Sequence, residues 1–171
     1  MDKIVFITGA SSGIGAGCAR KFASQGASLI LNARNVNKLS ALKEELEKQY
    51  GAKIYLLPFD VRDRKAATSA LESLPKEWQS IDILVNNAGL VIGTDKEQEG
   101  SLDEWDIVID TNIKALLAMT RLIVPGMVER KRGHIINIGS IAGDAAYPGG
   151  SVYCATTVSY THLRAHETLR H

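Results

Sequence analysis

Short apolar runs alternate with longer amphipathic stretches from Lys3 to about His134. Strand candidates are residues 4–8, 28–33, 53–59, 81–86 and 134–139, and helical patterns fill 13–25, 36–50, 64–74 and the long stretch 101–131. In the second helical stretch, Leu39, Leu42 and Leu46 recur at helical spacing while Lys43, Glu44, Glu45, Glu47 and Lys48 face water. The strand candidates are nearly continuous apolar runs rather than alternating ones. That is the pattern of a parallel sheet covered by helices on both faces. The rhythm predicts an α/β, doubly wound, Rossmann-like fold of five strands. No internal repeat or low-complexity linker interrupts it.

Composition narrows the picture without redirecting it. With 171 residues the chain is long enough for one domain with a sizeable core. A net charge of +1 gives no electrostatic case for nucleic acid or an anionic membrane as partner. The apolar run after Met1-Asp2-Lys3 is too short for a signal peptide, and no later run reaches membrane-spanning length. Cys18 and Cys154 lie far apart without metal-type spacing, so reduced thiols and a cytoplasmic location are expected.

Candidate chemistry begins directly after the first strand, in Thr8-Gly9-Ala10-Ser11-Ser12-Gly13-Ile14-Gly15. Glycines at a strand-to-helix turn permit close backbone approach, and the helix N-terminus favours a pyrophosphate. The spacing Gly-x-x-x-Gly-x-Gly differs from the commoner Gly-x-Gly-x-x-Gly. A tight turn without ligand is the plain alternative. The second strand ends in Ala33-Arg34-Asn35, where a carboxylate would bind the ribose hydroxyls and repel a 2′-phosphate. Ala33 stands at that position and Arg34 follows with a phosphate-matching guanidinium, which favours NADP over NAD. The alternative is a solvated arginine at a strand end. Asp60-Val61 closes the third strand, where a short acid suits the adenine amino group. Asn86-Asn87-Ala88-Gly89 closes the fourth. Together these segments predict one dinucleotide cleft, with Gly9, Ser11, Ser12, Gly13, Ile14, Gly15, Arg34, Asn35, Asp60, Val61, Asn87, Ala88, Gly89 and Tyr153 as contacts.

The Thr8-to-Gly15 loop, Asp60, Asn86 to Gly89, Asn112, Ser140 and Tyr153 occur in the order and spacing of the short-chain dehydrogenase/reductase family, which the chain resembles from Met1 to about Thr156. Within it, Ser73-Leu74-Pro75, Glu77-Trp78, Pro125-Gly126-Met127-Val128-Glu129-Arg130 and the run from Gly133 to Ser140 resemble the NADP-dependent 3-hydroxy acid dehydrogenases. The resemblance implies hydride transfer between a secondary alcohol and a ketone, on a small 3-hydroxy acid such as serine or L-allo-threonine. It implies no metal, and a homodimer or homotetramer. Tyr153 is then the acid/base, although an unperturbed phenol, pKa about 10, is a poor base near neutrality. A nearby lysine ammonium would favour the phenolate. Ser140 would hold the reacting oxygen against Tyr153, and Asn112 would support a water chain to the lysine. The alternative for Asn112 is a polar residue on an exposed helix face. Gly143, Pro148, Gly149 and Gly150 fit a loop carrying the chain from the Ser140 strand end to the Tyr153 helix.

Four residues past Tyr153, the family pattern requires lysine and the chain has Thr157. From Val158 the peptide Val-Ser-Tyr-Thr-His-Leu-Arg-Ala-His-Glu-Thr reads as one frame of a common transposon-based sequencing adapter. In that frame the first base of codon 157 is A, as in lysine codons. The expectation is an incomplete oxidoreductase domain over 1–157, with later strands missing and an exposed fifth-strand edge, followed by a non-native tail over 158–171. The alternatives are a homologue that has lost catalysis, leaving a dinucleotide-binding or interaction module, and a metal site on His162 and His166.

Overall fold

Five strands, β1 (Ile4–Ile7), β2 (Ser28–Leu31), β3 (Ile54–Leu56), β4 (Ile81–Asn86) and β5 (His134–Asn137), form one sheet in the order β3-β2-β1-β4-β5. Every neighbouring pair is parallel. The computed structural model describes residues 3–93 and 95–162. It divides into two units, Met1–Ala88 with Lys114–Ile138, and Gly89–Ile113 with Gly139–His171.

The first unit holds the sheet with helices α1 (Gly13–Ser24), α2 (Val36–Tyr50) and α3 (Arg64–Glu72). Successive side chains of a strand point to opposite faces, so each buried run feeds two cores. Val5, Ile7, Leu29, Leu31 and Val85 pack with Ala16, Ala19 and Ala23 of α1 and Leu39, Leu42 and Leu46 of α2. Phe6, Ile30 and Leu84 pack on the other side with Ala67 of α3 and with Met119, Ile123 and Met127. The alanine stripe of α1 lets that helix lie close to the sheet. Asn35 and Asp63 cap α2 and α3 by accepting from the amides of Lys38 and Ala66.

The second unit contains helix α4 (Leu102–Ile109), whose N-cap Ser101 accepts from the Glu104 amide. The expected single helix over 101–131 is instead three segments: α4, a π-helical turn at Asp110–Ala115, and α5 (Leu116–Glu129). The chain crosses from the second unit to the first within that turn. Helix α5 stops at Glu129 because Lys131 adopts φ 51°, with the amides of Lys131 and Arg132 donating to the carbonyls of Val128 and Met127. That left-handed C-terminal motif ends a helix by satisfying its last carbonyls. The second unit ends in helix α6 (Ser151–His162).

Most strands are shorter than their apolar runs. Past β3 the Leu57 amide still donates to the Leu31 carbonyl, and the carbonyls of Leu57 and Phe59 accept from the side-chain amide of Asn32 at 3.0 and 3.1 Å. Asn32 is fully buried just past β2, so one polar side chain does what further ladder bonds would have done. Strand β5 lies at an edge of the described sheet, and Ile135 and Ile136 are only half-buried. Replacing Asn32 with Ala strips two buried carbonyls of their donor. It is expected to cost about 1–3 kcal/mol of unfolding free energy, read as a lowered urea midpoint with an unchanged m-value.

Candidate active site

In the first unit the dinucleotide residues collect at the carboxyl ends of β1 and β4, where the strand order reverses and doubly wound sheets bind ligands. Thr8 fastens the two strand ends. Its hydroxyl accepts from the amides of Asn87 and Ala88, both at 3.0 Å, and donates to the Val85 carbonyl. The Asn87 side-chain amide returns two bonds, to the carbonyls of Thr8 and Gly9. The loop is thereby pressed so tightly that side chains are excluded. A Cβ on Gly9 (φ 63°) would lie 2.9 Å from Asn87 Nδ2, and one on Gly15 would strike the Gly9 carbonyl oxygen.

Helix α1 begins without help. Its N-cap Ser12 makes no side-chain capping bond, and the first turn holds no acid. The free amides of that turn therefore face an exposed surface beside Gly13 and Ile14 with their partial positive charge unused, the arrangement a bound phosphate group completes. Arg34 follows the buried Ala33, with its own side chain 67% exposed and its guanidinium 3.9 Å from the Asp60 carboxylate. Arg62 grips the same carboxylate at 2.6 Å, and this hydrogen-bonded pairing holds Asp60 below the usual carboxylate range. Asn35 is committed to capping α2, and the Val61 side chain lies in the core. Their contribution to a ligand is therefore limited to the backbone and whatever their remaining faces offer.

Gly89 and the three catalytic candidates fall in the second unit. Asn112 sits in the π-helical turn at 1% exposure, which overturns the reading of an exposed helix face. Its side chain accepts from the Leu90 amide and donates to the Leu90 carbonyl, both at 2.9 Å, and donates to Thr156 Oγ1 at 3.0 Å. Ser140 Oγ accepts from the Ala142 amide, capping a single 3₁₀ turn at Ile141–Gly143. That turn packs directly on α6, since a Cβ on Gly143 would lie 3.1 Å from the Thr157 carbonyl oxygen. Tyr153 is half-buried in the first turns of α6 and lines a shallow, open concavity together with Glu104 and Trp105. Thr157 is buried, and its hydroxyl reaches only the carbonyls of Tyr153 and Cys154 in its own helix. Position 157 itself therefore supplies no cation.

Thr156 escaped the sequence reading, and Tyr160 joins it from the segment expected to be a non-native tail. Thr156 bridges to Asn112, and Tyr160 donates its hydroxyl to the Asn112 carbonyl at 2.7 Å. Both belong to the Tyr153 helix, and the spacing of seven puts Tyr153 and Tyr160 on one face of it. Burial, reinforced by the neighbouring Tyr153, pushes the Tyr160 phenol up to about 12. Among the described residues no group of three His, Cys, Asp or Glu side chains is placed to hold a metal. The suggested ligands, the His162 side chain and His166, lie outside the residues whose side chains are described.

Residues 3–169 match the short-chain dehydrogenase family. The chain belongs to that family. It is 50% identical over 153 residues to the NADP-dependent 3-hydroxy acid dehydrogenase YdfG of Escherichia coli, a match covering 90% of this chain and 60% of the relative. An NADP-dependent 3-hydroxy acid dehydrogenase of Schizosaccharomyces pombe is 44% identical, again with 90% and 60% covered. The chain thus spans about 60% of the length of these curated relatives. Among solved structures, serine dehydrogenase from Escherichia coli superposes with a TM-score of 0.87 at 48% identity, covering 93% of this chain and 72% of that one. A closed form of serine dehydrogenase complexed with NADP+ gives a TM-score of 0.86 at 46% identity, with 93% and 62% covered. No helix among the described residues is long and apolar enough to cross a membrane.

The raised Tyr160 pKa has a definite sign. A phenol whose folded pKa exceeds its unfolded value of 10 adds stability that is complete below pH 10 and lost as pH climbs towards 12. Tyr160→Phe is expected to remove the slowest-titrating component of the phenolate absorbance near 295 nm and to flatten the decline in thermal stability over that alkaline window.

Proposed function

We propose that this chain is the N-terminal portion of an NADP-dependent oxidoreductase that interconverts a secondary alcohol and a ketone, with a small 3-hydroxy acid as substrate. The observation that carries the reading is the cradle of Gly9, Gly15 and Asn87 beneath an uncapped α1, with Arg34 following Ala33 at the end of the neighbouring strand. These residues fit a dinucleotide: bare backbone for the pyrophosphate, and a guanidinium where a carboxylate would turn a 2′-phosphate away. When bound, the dinucleotide supplies the hydride acceptor or donor.

The chain's own residues handle the proton and the geometry. Tyr153 takes the hydroxyl proton in the oxidative direction and returns it in the reductive one. Ser140, freed from its weak contact with the Ala142 amide, donates to the reacting oxygen and holds it for that transfer. Asn112 fixes the packing of the Tyr153 helix through Thr156. In the parent protein a lysine at position 157 places a cation one helical turn from Tyr153, and the segment from Val158 onward is foreign to it. The parent acts in the cytoplasm as a homodimer or homotetramer.

The uncharged Thr157 supports a second, narrower statement. As it stands, the chain binds the dinucleotide with little or no catalysis. Purified chain is expected to show no measurable oxidation of L-allo-threonine with NADP+, and turnover at ordinary enzyme rates would refute this. Reading the source gene through codon 157 tests the parent: a lysine codon followed by further strand and helix patterns supports the enzyme, whereas a genuine threonine codon or a stop supports a binding module. Arg34→Ala is expected to weaken NADP+ binding about ten-fold, the loss of one charge-assisted contact, while leaving NAD+ affinity within two-fold. Calorimetric titration of both nucleotides measures the difference.

A further inference from the structure

Just past β3 a proline sets up a charge arrangement at the carboxyl end of the sheet. Pro58 has no N–H with which to extend the ladder beyond Leu57. The side-chain amide of Asn32 bridges the gap by donating to the carbonyls of Leu57 and Phe59 on either side. Asp60 follows Phe59 directly, and Arg34 stands two residues past Asn32, so the same clamp holds both charges in register. Arg62 then takes the carboxylate almost whole. Its backbone amide donates to Oδ1 at 3.0 Å, its Nε to the two oxygens at 3.0 and 3.2 Å, and its Nη2 to Oδ2 at 2.6 Å. Arg34 is left 3.9 Å from Oδ2, outside hydrogen-bond distance, with its side chain 67% exposed.

Two guanidiniums therefore face one carboxylate, and the local balance is positive. Arg62 is the main cause of the low Asp60 pKa and Arg34 the smallest, the same division that the distances give. With Arg62 removed, Asp60 keeps its charge and Arg34 is the cation beside it. A guanidinium and a carboxylate at that range close into a charge-assisted fork. The closed pair is neutral and covers the donor edge that a 2′-phosphate needs. We propose that Arg62 determines nucleotide choice without itself binding the phosphate: by occupying Asp60 it keeps Arg34 open to a 2′-phosphate. The inference deepens the proposed function and rests on its dinucleotide reading.

The test titrates the full chain calorimetrically with NADP+ and NAD+ in three forms: unaltered, Arg62→Gln, and Arg62→Gln with Asp60→Asn. Arg62→Gln is expected to lower NADP+ affinity about five-fold, the scale of one exposed ion pair that must first open, with NAD+ affinity unchanged to within about two-fold. The ratio of the two affinities is the readout, because any contact of Asp60 with the adenine is common to both nucleotides. Adding Asp60→Asn removes the competitor and is expected to restore the original ratio. An unchanged ratio in Arg62→Gln overturns the proposal. So does a ratio that stays low in the double variant, since Arg62 would then be contacting the phosphate itself. A second measurement needs no nucleotide: NMR follows the Asp60 carboxyl carbon as pH falls. In Arg62→Gln it is expected to titrate below the usual carboxylate range because Arg34 has closed on it. Adding Arg34→Gln is expected to return it to that range. If removing Arg34 changes nothing there, the proposal fails whatever the chain binds. If Arg34 does close on Asp60 in a chain that binds neither nucleotide, the dinucleotide reading falls and the exchange of partners stands.

Discussion

The first unit depends on a single polar clip, the reciprocal hydrogen bonding of Thr8 and Asn87. Strands β1 and β4 are neighbours in space but more than seventy residues apart in sequence. Their apolar side chains specify which faces are buried without fixing how the ends are finished. The Thr8 hydroxyl and the Asn87 amide finish them, using backbone groups that would otherwise be orphaned where the ladder stops. The loop that follows inherits this geometry. Gly9 and Gly15 are glycines because the clip leaves no room for anything larger.

Asn112 plays the corresponding part in the second unit. An amide has one acceptor oxygen and two donor hydrogens, and here Leu90 and Thr156 take all three while the backbone carbonyl receives Tyr160. The extra residue of the π-helical turn admits this side chain to the interior, as such turns do at functional sites. A helix of uniform pitch would have given that position an ordinary place in the 3.6-residue pattern.

That difference explains what was legible in the sequence. The parallel sheet, its two buried faces and the helix at Val36–Tyr50 followed from apolar patterning, because packing rewards pattern directly. The glycine loop and Asn87 followed from residue type and position. Elements set by a long-range polar contact were not legible. Asn32 ends β3 from another strand, and Asn112 interrupts a helix by bonding a loop twenty-two residues away. Neither leaves a periodic trace.

The bare amino terminus of α1 makes the first unit's durability a matter of supply. Three other helices carry their own caps in Asn35, Asp63 and Ser101, and so are complete in isolation. Helix α1 carries no such cap, and the dinucleotide proposed above would complete its first turn. By mass action, a nucleotide present at a hundred times its dissociation constant adds about 2.7 kcal/mol to the folded state. On the proposed reading, the durability of the folded chain tracks the nucleotide pool, a dependence separate from turnover.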